Sequence, residues 1–277
     1  MSKKYYCLIL FLFSILGIIA QEEEHHTSEE KERSYINYDF LSWGNWGFYS
    51  FLQDESDDAS TLGFEFTSNI NIGNTQLKNI TYFEVNRYSR SIPGQPIGNS
   101  TASFEGANGI GDVMTGFWFS KINKPHSVHH FAPGFAFQLP TASDPALGSE
   151  KWAVGPSFDY EYESKNGKLV AGAIFIQFWS FAGNSQRKDV NMLLVKPFLY
   201  YNIAKNWDLM YIPYGITVYW NKPSRQNVYV PLGGGIRRVF NLGEKTDLNF
   251  SAQFFNNVVR PDKGTVNELR FLLEFVF

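Results

Sequence analysis

The chain has 277 residues, with 24 Lys plus Arg against 27 Asp plus Glu and a formal net charge of −3. That balance is too mild and too acidic for a general nucleic-acid binder. Aromatic residues make up 17%, and a mean hydropathy of −0.24 excludes a polytopic helical membrane protein.

Residues 1–20, MSKKYYCLILFLFSILGIIA, have the three parts of a secretory signal: Lys3 and Lys4, an apolar stretch from Leu8 to Ile19, and small residues at Gly17 and Ala20. The apolar stretch is short for a membrane-spanning anchor, which needs about 20 residues. Cys7 is the single cysteine and precedes that stretch, which argues against a lipoprotein anchor. After cleavage the chain has no disulfide and no thiolate site. Residues 21–34 form an acidic, solvated tail, where His25 and His26 make a poor metal site. The barrel described next is expected over 35–277.

Beyond the tail, alternation with a period of two dominates, which predicts strands. Strands are expected over 35–51, 61–70, 77–87, 112–120, 127–139, 152–163, 168–179, 191–203, 207–220, 227–240, 247–258 and 266–277. In 152–163, Trp152, Val154, Pro156, Phe158, Tyr160 and Tyr162 share one face, opposite Ala153, Gly155, Ser157, Asp159 and Glu161. Residues 247–257 oppose Leu248, Phe250, Ala252 and Phe254 to Asp247, Asn249, Ser251 and Gln253. In the last run Leu269, Phe271, Leu273, Phe275 and Phe277 oppose Arg270, Leu272 and Glu274. In 128–139 phenylalanines oppose Ala and Gly. In 168–178, Val170, Ile174, Ile176 and Phe178 oppose Ala171, Ala173 and Gln177, and the small faces suit a wall that curves inward.

Short connections at 71–75, 164–167, 204–206 and 241–245 alternate with longer ones at 53–60, 88–111, 139–151, 180–190 and 259–265. That rhythm is the habit of an outer-membrane barrel, with tight periplasmic turns and longer outer loops. A soluble sandwich would favour strands of about 5–6 residues and gives no reason for it. The expected fold is all-β: a closed antiparallel transmembrane barrel of about twelve strands, with ten or fourteen as alternatives.

The stretch 109–160 carries a further pattern: GIGDV at 109–113, HFAPGFAFQLPTAS at 130–143 and LGSEKWAVGPSFDY at 147–160. Its Gly109, Gly111, Asp112, Pro140, Thr141, Gly155 and Pro156 resemble the family of outer-membrane barrels associated with the MetA pathway of phenol degradation. Members are often labelled transporters, sometimes neuromedin U. Ala142 and Ser143 stand where that pattern has a glycine. The terminal Phe277 resembles the closing residue read by the barrel assembly machinery. The resemblance implies an outer-membrane protein passing small or aromatic molecules, and names no solute.

The same residues have structural readings. Gly109 and Gly111 permit a tight turn, Asp112 can accept free backbone N–H groups, and Pro140 stops the ladder. GIGD is no phosphate loop, since no Lys-Ser/Thr follows. A hydrolase reading fares poorly: there is no Gly-x-Ser-x-Gly elbow, and His129 and His130 fall beside a short turn. Asp159 and Glu161 could pair as acid and base, but charged residues are the ordinary lining of a barrel.

The expectation is therefore a non-enzymatic Gram-negative outer-membrane channel without metal or cofactor. Its lumen is lined by Asp39, Glu65, Glu84, Asp159, Glu161, Lys196, Arg237, Asp247, Glu268, Arg270 and Glu274. Eight acids against three bases predict a modest cation preference. The alternative is a closed structural or adhesive barrel with loop-bound partners. Expected partners are outer-membrane lipid, the assembly machinery and a small solute, with no nucleic acid. In a wet lumen Arg270→Leu should cost less than Leu273→Arg, which puts a charge into lipid.

Overall fold

A computed structural model describes residues 36–37, 45–52, 59–88, 107–121, 128–224, 226–242, 246–261 and 264–276. The signal, the acidic tail, Asp39 and Phe277 lie outside the described residues.

Among the described residues, fifteen strand segments form one antiparallel sheet. The wall strands are β1 (Asn45–Leu52), β2 (Ala59–Ile72), β3 (Thr75–Tyr88), β4 (Ala107–Ile110 and Val113–Lys121), β5 (His129–Leu139) and β6 (Lys151–Glu163). They continue as β7 (Leu169–Gly183), β8 (Asn191–Ala204), β9 (Trp207–Tyr211 and Ile216–Tyr219), β10 (Val228–Asn241), β11 (Asp247–Val259) and β12 (Asn267–Val276). The remaining segment, Ile36–Asn37, pairs with Asn71 and Ile72 at the end of β2. β12 pairs with β1 from Asn267↔Leu52 to Glu274↔Asn45, so the ring closes through twelve wall strands. Closure leaves no backbone edge for lipid to desolvate.

Parity decides what faces out. Along β6, Trp152 is 45% exposed while Ala153, Ser157 and Asp159 are buried. β11 and β12 repeat this, with Phe250, Phe254 and Phe271 outward and Ser251, Gln253 and Arg270 inward. Outward rings meet across strands: Phe64 and Phe83 stack at 4.9 Å, and Phe131 and Tyr160 lie 4.8 Å apart. Each such pair contributes about 0.2–1 kcal/mol to the ladder.

β7 departs from the expected small inner face. Ile174 and Ile176 stand in register with Asp159 and Ser157, and these isoleucines and Phe178 are buried inside. They join Trp118, Met192 and Leu194 in an apolar cluster that fills one side of the interior. Trp118 lies in the space left by Gly116 and Gly134, where an added Cβ would overlap its ring. Its indole N–H donates to Ser157 Oγ at 2.8 Å.

β9 is the interrupted strand. Its first half pairs with β8 up to Leu199↔Tyr211 and its second from Val195↔Ile216, leaving Ile212–Gly215 outside the ladder. Gly215 has φ +155, and a Cβ there would lie 2.6 Å from Leu194 Cδ1, so only glycine returns the chain to the wall here.

Candidate functional site in the barrel interior

The segment Ile212–Gly215 folds into the lumen. Its entry is fixed by two hydrogen bonds: Arg270 Nη1 donates to the Ile212 carbonyl at 2.6 Å, and Ile212 N–H donates to Gln253 Oε1 at 3.0 Å. Tyr214 then meets the edge of Tyr82 on β3, with ring centres 6.2 Å apart. In a ring of twelve, β3 and β9 are opposite walls, so this contact crosses the barrel.

A second contact crosses it too. Lys196 Nζ on β8 lies 2.9 Å from Glu65 Oε2 on β2, again six strands apart. The same ammonium is 5.5 Å from the centre of the Tyr82 ring. Around this bridge the inner wall is a set of ion pairs. Lys78 Nζ meets Asp159 Oδ2 at 2.9 Å, Arg237 Nη2 meets Asp208 Oδ2 at 2.7 Å, and Arg270 Nη2 meets Glu268 Oε1 at 2.6 Å. Arg237 also lies over the Tyr200 ring at 4.2 Å.

Glu65, Glu84, Asp159, Glu161, Lys196, Arg237, Asp247, Glu268, Arg270 and Glu274 thus all have inward parity. They do not form one continuous wet lining. Glu268 and Arg270 are 3% and 2% exposed. Glu84 is buried and accepts from Tyr82 Oη at 2.9 Å and Asn86 Nδ2 at 3.0 Å. Asp247 sits at the short-turn rim and accepts from Asn241 Nδ2 at 2.7 Å. Glu274 accepts from Asn249 Nδ2 at 2.9 Å.

The motif residues build the opposite, long-loop end. The Asp112 carboxylate accepts from Ser149 N–H at 2.8 Å, Gln138 Nε2 at 3.0 Å and Ala142 N–H at 3.2 Å. Thr141 Oγ1 accepts from Val113 N–H at 2.9 Å, just beyond Pro140, where β5 has ended. Gly109 leaves room for Ser143, whose Oγ accepts from Ile110 N–H at 2.9 Å. Gly111 N–H donates to the Glu84 carbonyl at 2.8 Å. Gly155 gives close backbone approach to β7, with Pro156 outward beside it. Asp112, Thr141 and the Gly109–Ser143 contact clamp the 140–149 loop to the wall, and none of the motif residues lines the central cavity.

Two titrating groups lie in the loops. Lys151, donating at 2.9 Å, and Ser180 hold the Asp189 carboxyl below the usual aspartate range. Burial, with Lys188 nearby, lowers the Lys222 ammonium to about 8, over the ring of Tyr219.

A central cavity of about 330 Å³ remains inside, between Glu65, Tyr82, Lys196, Tyr214 and Glu274. A neighbouring one of about 340 Å³ is bounded by Lys78, His130, Asp159 and Glu161. Lys78 and Glu161 line both. A larger hollow of about 450 Å³ lies at the short-turn rim by His129 and Lys165, away from the bridges. His129 faces outward, its Nδ1 3.0 Å from Tyr160 Oη.

Lys78, Asp208, Gln253 and the Ile212–Gly215 segment are site features that alternation alone did not flag. The segment had a signal: Pro213 and Gly215 inside a strand-length run are breakers.

No protein-family model matches the chain, and no curated protein does. Among solved structures, it is similar to an outer membrane channel from Pseudomonas putida F1, with TM-score 0.54 and 11% identity over 90% of this chain and 99% of that one. Outer membrane phospholipase A from Escherichia coli matches at TM-score 0.38 and 10% identity, over 84% and 96%. The calcium-bound phospholipase dimer from Salmonella typhi matches at 0.38 and 9%, over 84% and 90%. The expectation of a non-enzyme is corrected by these matches. Barrels that include enzymes are among them, and a closed wall leaves its outer surface and rims free to carry catalytic groups, so the fold does not exclude one. At the level the channel match supports, the chain has the fold of an outer-membrane β-barrel.

Proposed function

We propose that the protein is an outer-membrane channel for small solutes, held closed in this conformation by contacts across its lumen. The observation that carries this reading is the Glu65–Lys196 bridge between opposite walls, with cavities beside it. A barrel serving only as an anchor has no need of a hollow crossed by single contacts. The interrupted strand gives the same region a segment able to move without opening the wall. The likeness to a channel supports the reading, and so does the resemblance of the 109–160 pattern to the MetA-associated barrels.

The long loops then face outward and the short turns the periplasm. Lipid covers the aromatic face, and the assembly machinery inserts the chain by its last strand. Acids exceed bases on the inner face, so an open pore favours cations modestly. Single-channel recording of the refolded protein in a planar bilayer under a salt gradient tests this. Infrequent openings with cation selectivity are expected from the parent, and more frequent ones from Lys196→Met. Silence from a folded barrel, in the Lys196→Met variant as well, refutes the channel reading.

A further inference from the structure

One arginine stands on the lipid side of the wall. Arg238 has the outward parity of β10, between Ile236 and Phe240, which are 46% and 44% exposed. Its partners across the ladder are Trp207 on β9 and Phe250 on β11, both outward. It is the one charged side chain on the outward faces of β9, β10 and β11. The inward Arg237 beside it has Asp208, whereas Arg238 has no carboxylate among the described residues. Its guanidinium lies over the Trp207 ring at 4.9 Å and near the Phe240 ring at 5.7 Å, and Nη1 reaches the Lys205 carbonyl at 3.5 Å. Lys205, in the short turn between β8 and β9, is exposed and has no ion pair among the described residues.

A charge on the lipid face is costly at the midplane and tolerated near the interface. Arg238 sits at the interface, because its ladder partner Trp207 directly follows the turn at 204–206. Stacked on aromatic rings, the guanidinium is a flat fork of five N–H donors, the geometry that matches phosphate oxygens. One pleat deeper on the same face, Leu209 and Ile236 pair in register, each 46% exposed, and start an apolar track. Donors at the rim above an apolar track fit an anion that carries a tail. We infer that Arg238, Lys205 and Trp207 bind the phosphate headgroup of an anionic phospholipid, whose acyl chain lies on Leu209 and Ile236. The Lys205 ammonium is the second cation. The Trp207 indole N–H, which has no acceptor among the described residues, is a neutral donor. A zwitterionic lipid brings its own ammonium to two cations that have no acid to receive it. Free phosphate makes no use of the track.

The leaflet, that of the short turns, rests on the orientation given with the channel reading, but the test needs neither current nor orientation. The full refolded barrel in non-ionic detergent is mixed with equal amounts of phosphatidylglycerol and phosphatidylcholine, and retained lipid is counted by mass spectrometry of the intact protein. Phosphatidylglycerol should be retained at least about fivefold over phosphatidylcholine. Arg238→Gln should remove most of that preference and Arg238→Lys should keep part of it. Lys165→Gln, an exposed lysine at another short turn of the same rim, should leave it unchanged. Equal retention by the parent, a preference that survives Arg238→Gln, or an equal loss from Lys165→Gln overturns the inference. So does displacement of the lipid by an equal concentration of glycerol phosphate, which has the headgroup and no tail. Should Arg238→Gln fail to fold, the competition on the unaltered protein and on Lys205→Gln, which should lose part of the preference, still decides. A silent barrel that keeps phosphatidylglycerol refutes only conduction, and a conducting one that shows no preference refutes only this site.

Discussion

Arg270 is the residue whose removal best separates a wet lumen from a packed one. Its guanidinium is 2% exposed, meets Glu268 at 2.6 Å and donates to the Ile212 carbonyl at 2.6 Å. Arg270→Leu leaves the Glu268 carboxylate, itself 3% exposed, without its cation. Removing one partner of a buried pair costs about 3–5 kcal/mol, because the orphaned charge stays desolvated. The Ile212 carbonyl loses its charged donor as well. Leu273→Arg, on the opposite parity, puts a charge into lipid at about 2–4 kcal/mol. The interior change should therefore be at least as damaging as the lipid-facing one, reversing the order expected for a wet lumen. Urea titration of both variants in phospholipid vesicles, read by gel shift on heating, measures the two costs. The double variant Glu268→Gln, Arg270→Leu should recover about half the loss, since it removes the orphan. A cost under about 1 kcal/mol for Arg270→Leu would show that water screens Glu268, as at a protein surface. The packed interior would then be wrong at that level.

Lys196→Met cuts the cross-lumen bridge without touching the wall ladder. Single-channel current or open occupancy should rise over the parent, and an unchanged trace would mean that closure lies elsewhere. Asp112→Asn leaves one side-chain oxygen to serve donors that now share two, at about 1–3 kcal/mol. Limited proteolysis should cut 140–150 sooner, and unchanged digestion would refute the clamp. Asp189, held low by Lys151, anchors the loop above the ordinary aspartate value of 3.8 and loses that hold as the pH falls through its lowered value. Hydrogen-exchange protection over 184–190, taken against the intrinsic rate at each pH, should fall at pH 2 relative to pH 5, and equal protection would dismiss the anchor.

The wall was legible because lipid imposes a local rule. Phe250, Phe254 and Phe271 had to alternate with Ser251, Gln253 and Arg270, whatever lay elsewhere in the chain. The interior obeys no such rule. Ile174, Ile176 and Phe178 look lipid-facing in isolation, and only Trp118, Met192 and Leu194 from other strands make the inside apolar enough to bury them. The site was half legible for the same reason. Parity put Glu65 and Lys196 on the inner face, but their bridge joins residues 131 positions apart. Asp208 escaped notice although Arg237, its partner across the ladder, did not. In the motif, Asp112 as an acceptor of backbone N–H was readable from a turn rule, whereas Gln138 and Ser149 had no sequence signature.

The interruption in β9 bears on how such a barrel could open. A lipid-facing wall cannot part, because freed N–H and C=O groups would face hydrocarbon. Here the ladder is carried past the interruption on both sides. β8 pairs with both halves of β9, and β10 does the same, from Trp207↔Arg238 to Met210↔Gly235 and again at Thr217↔Tyr229. Ile212–Gly215 can therefore move while the hydrogen bonds of the wall stay made. Its contacts include the edge contact with Tyr82, a hydrogen bond from Arg270 to the Ile212 carbonyl and one from Ile212 N–H to Gln253 Oε1. A typical hydrogen bond contributes about 0.5–1.5 kcal/mol net, and one to a charged group about 1.5–3. These two hydrogen bonds together contribute a few kcal/mol, the scale on which a minor conformation is populated at about 0.1–10% and a ligand can shift it. The wall is held by its backbone ladder and the inward segment by side chains, among them that of Arg270, whose own backbone belongs to β12.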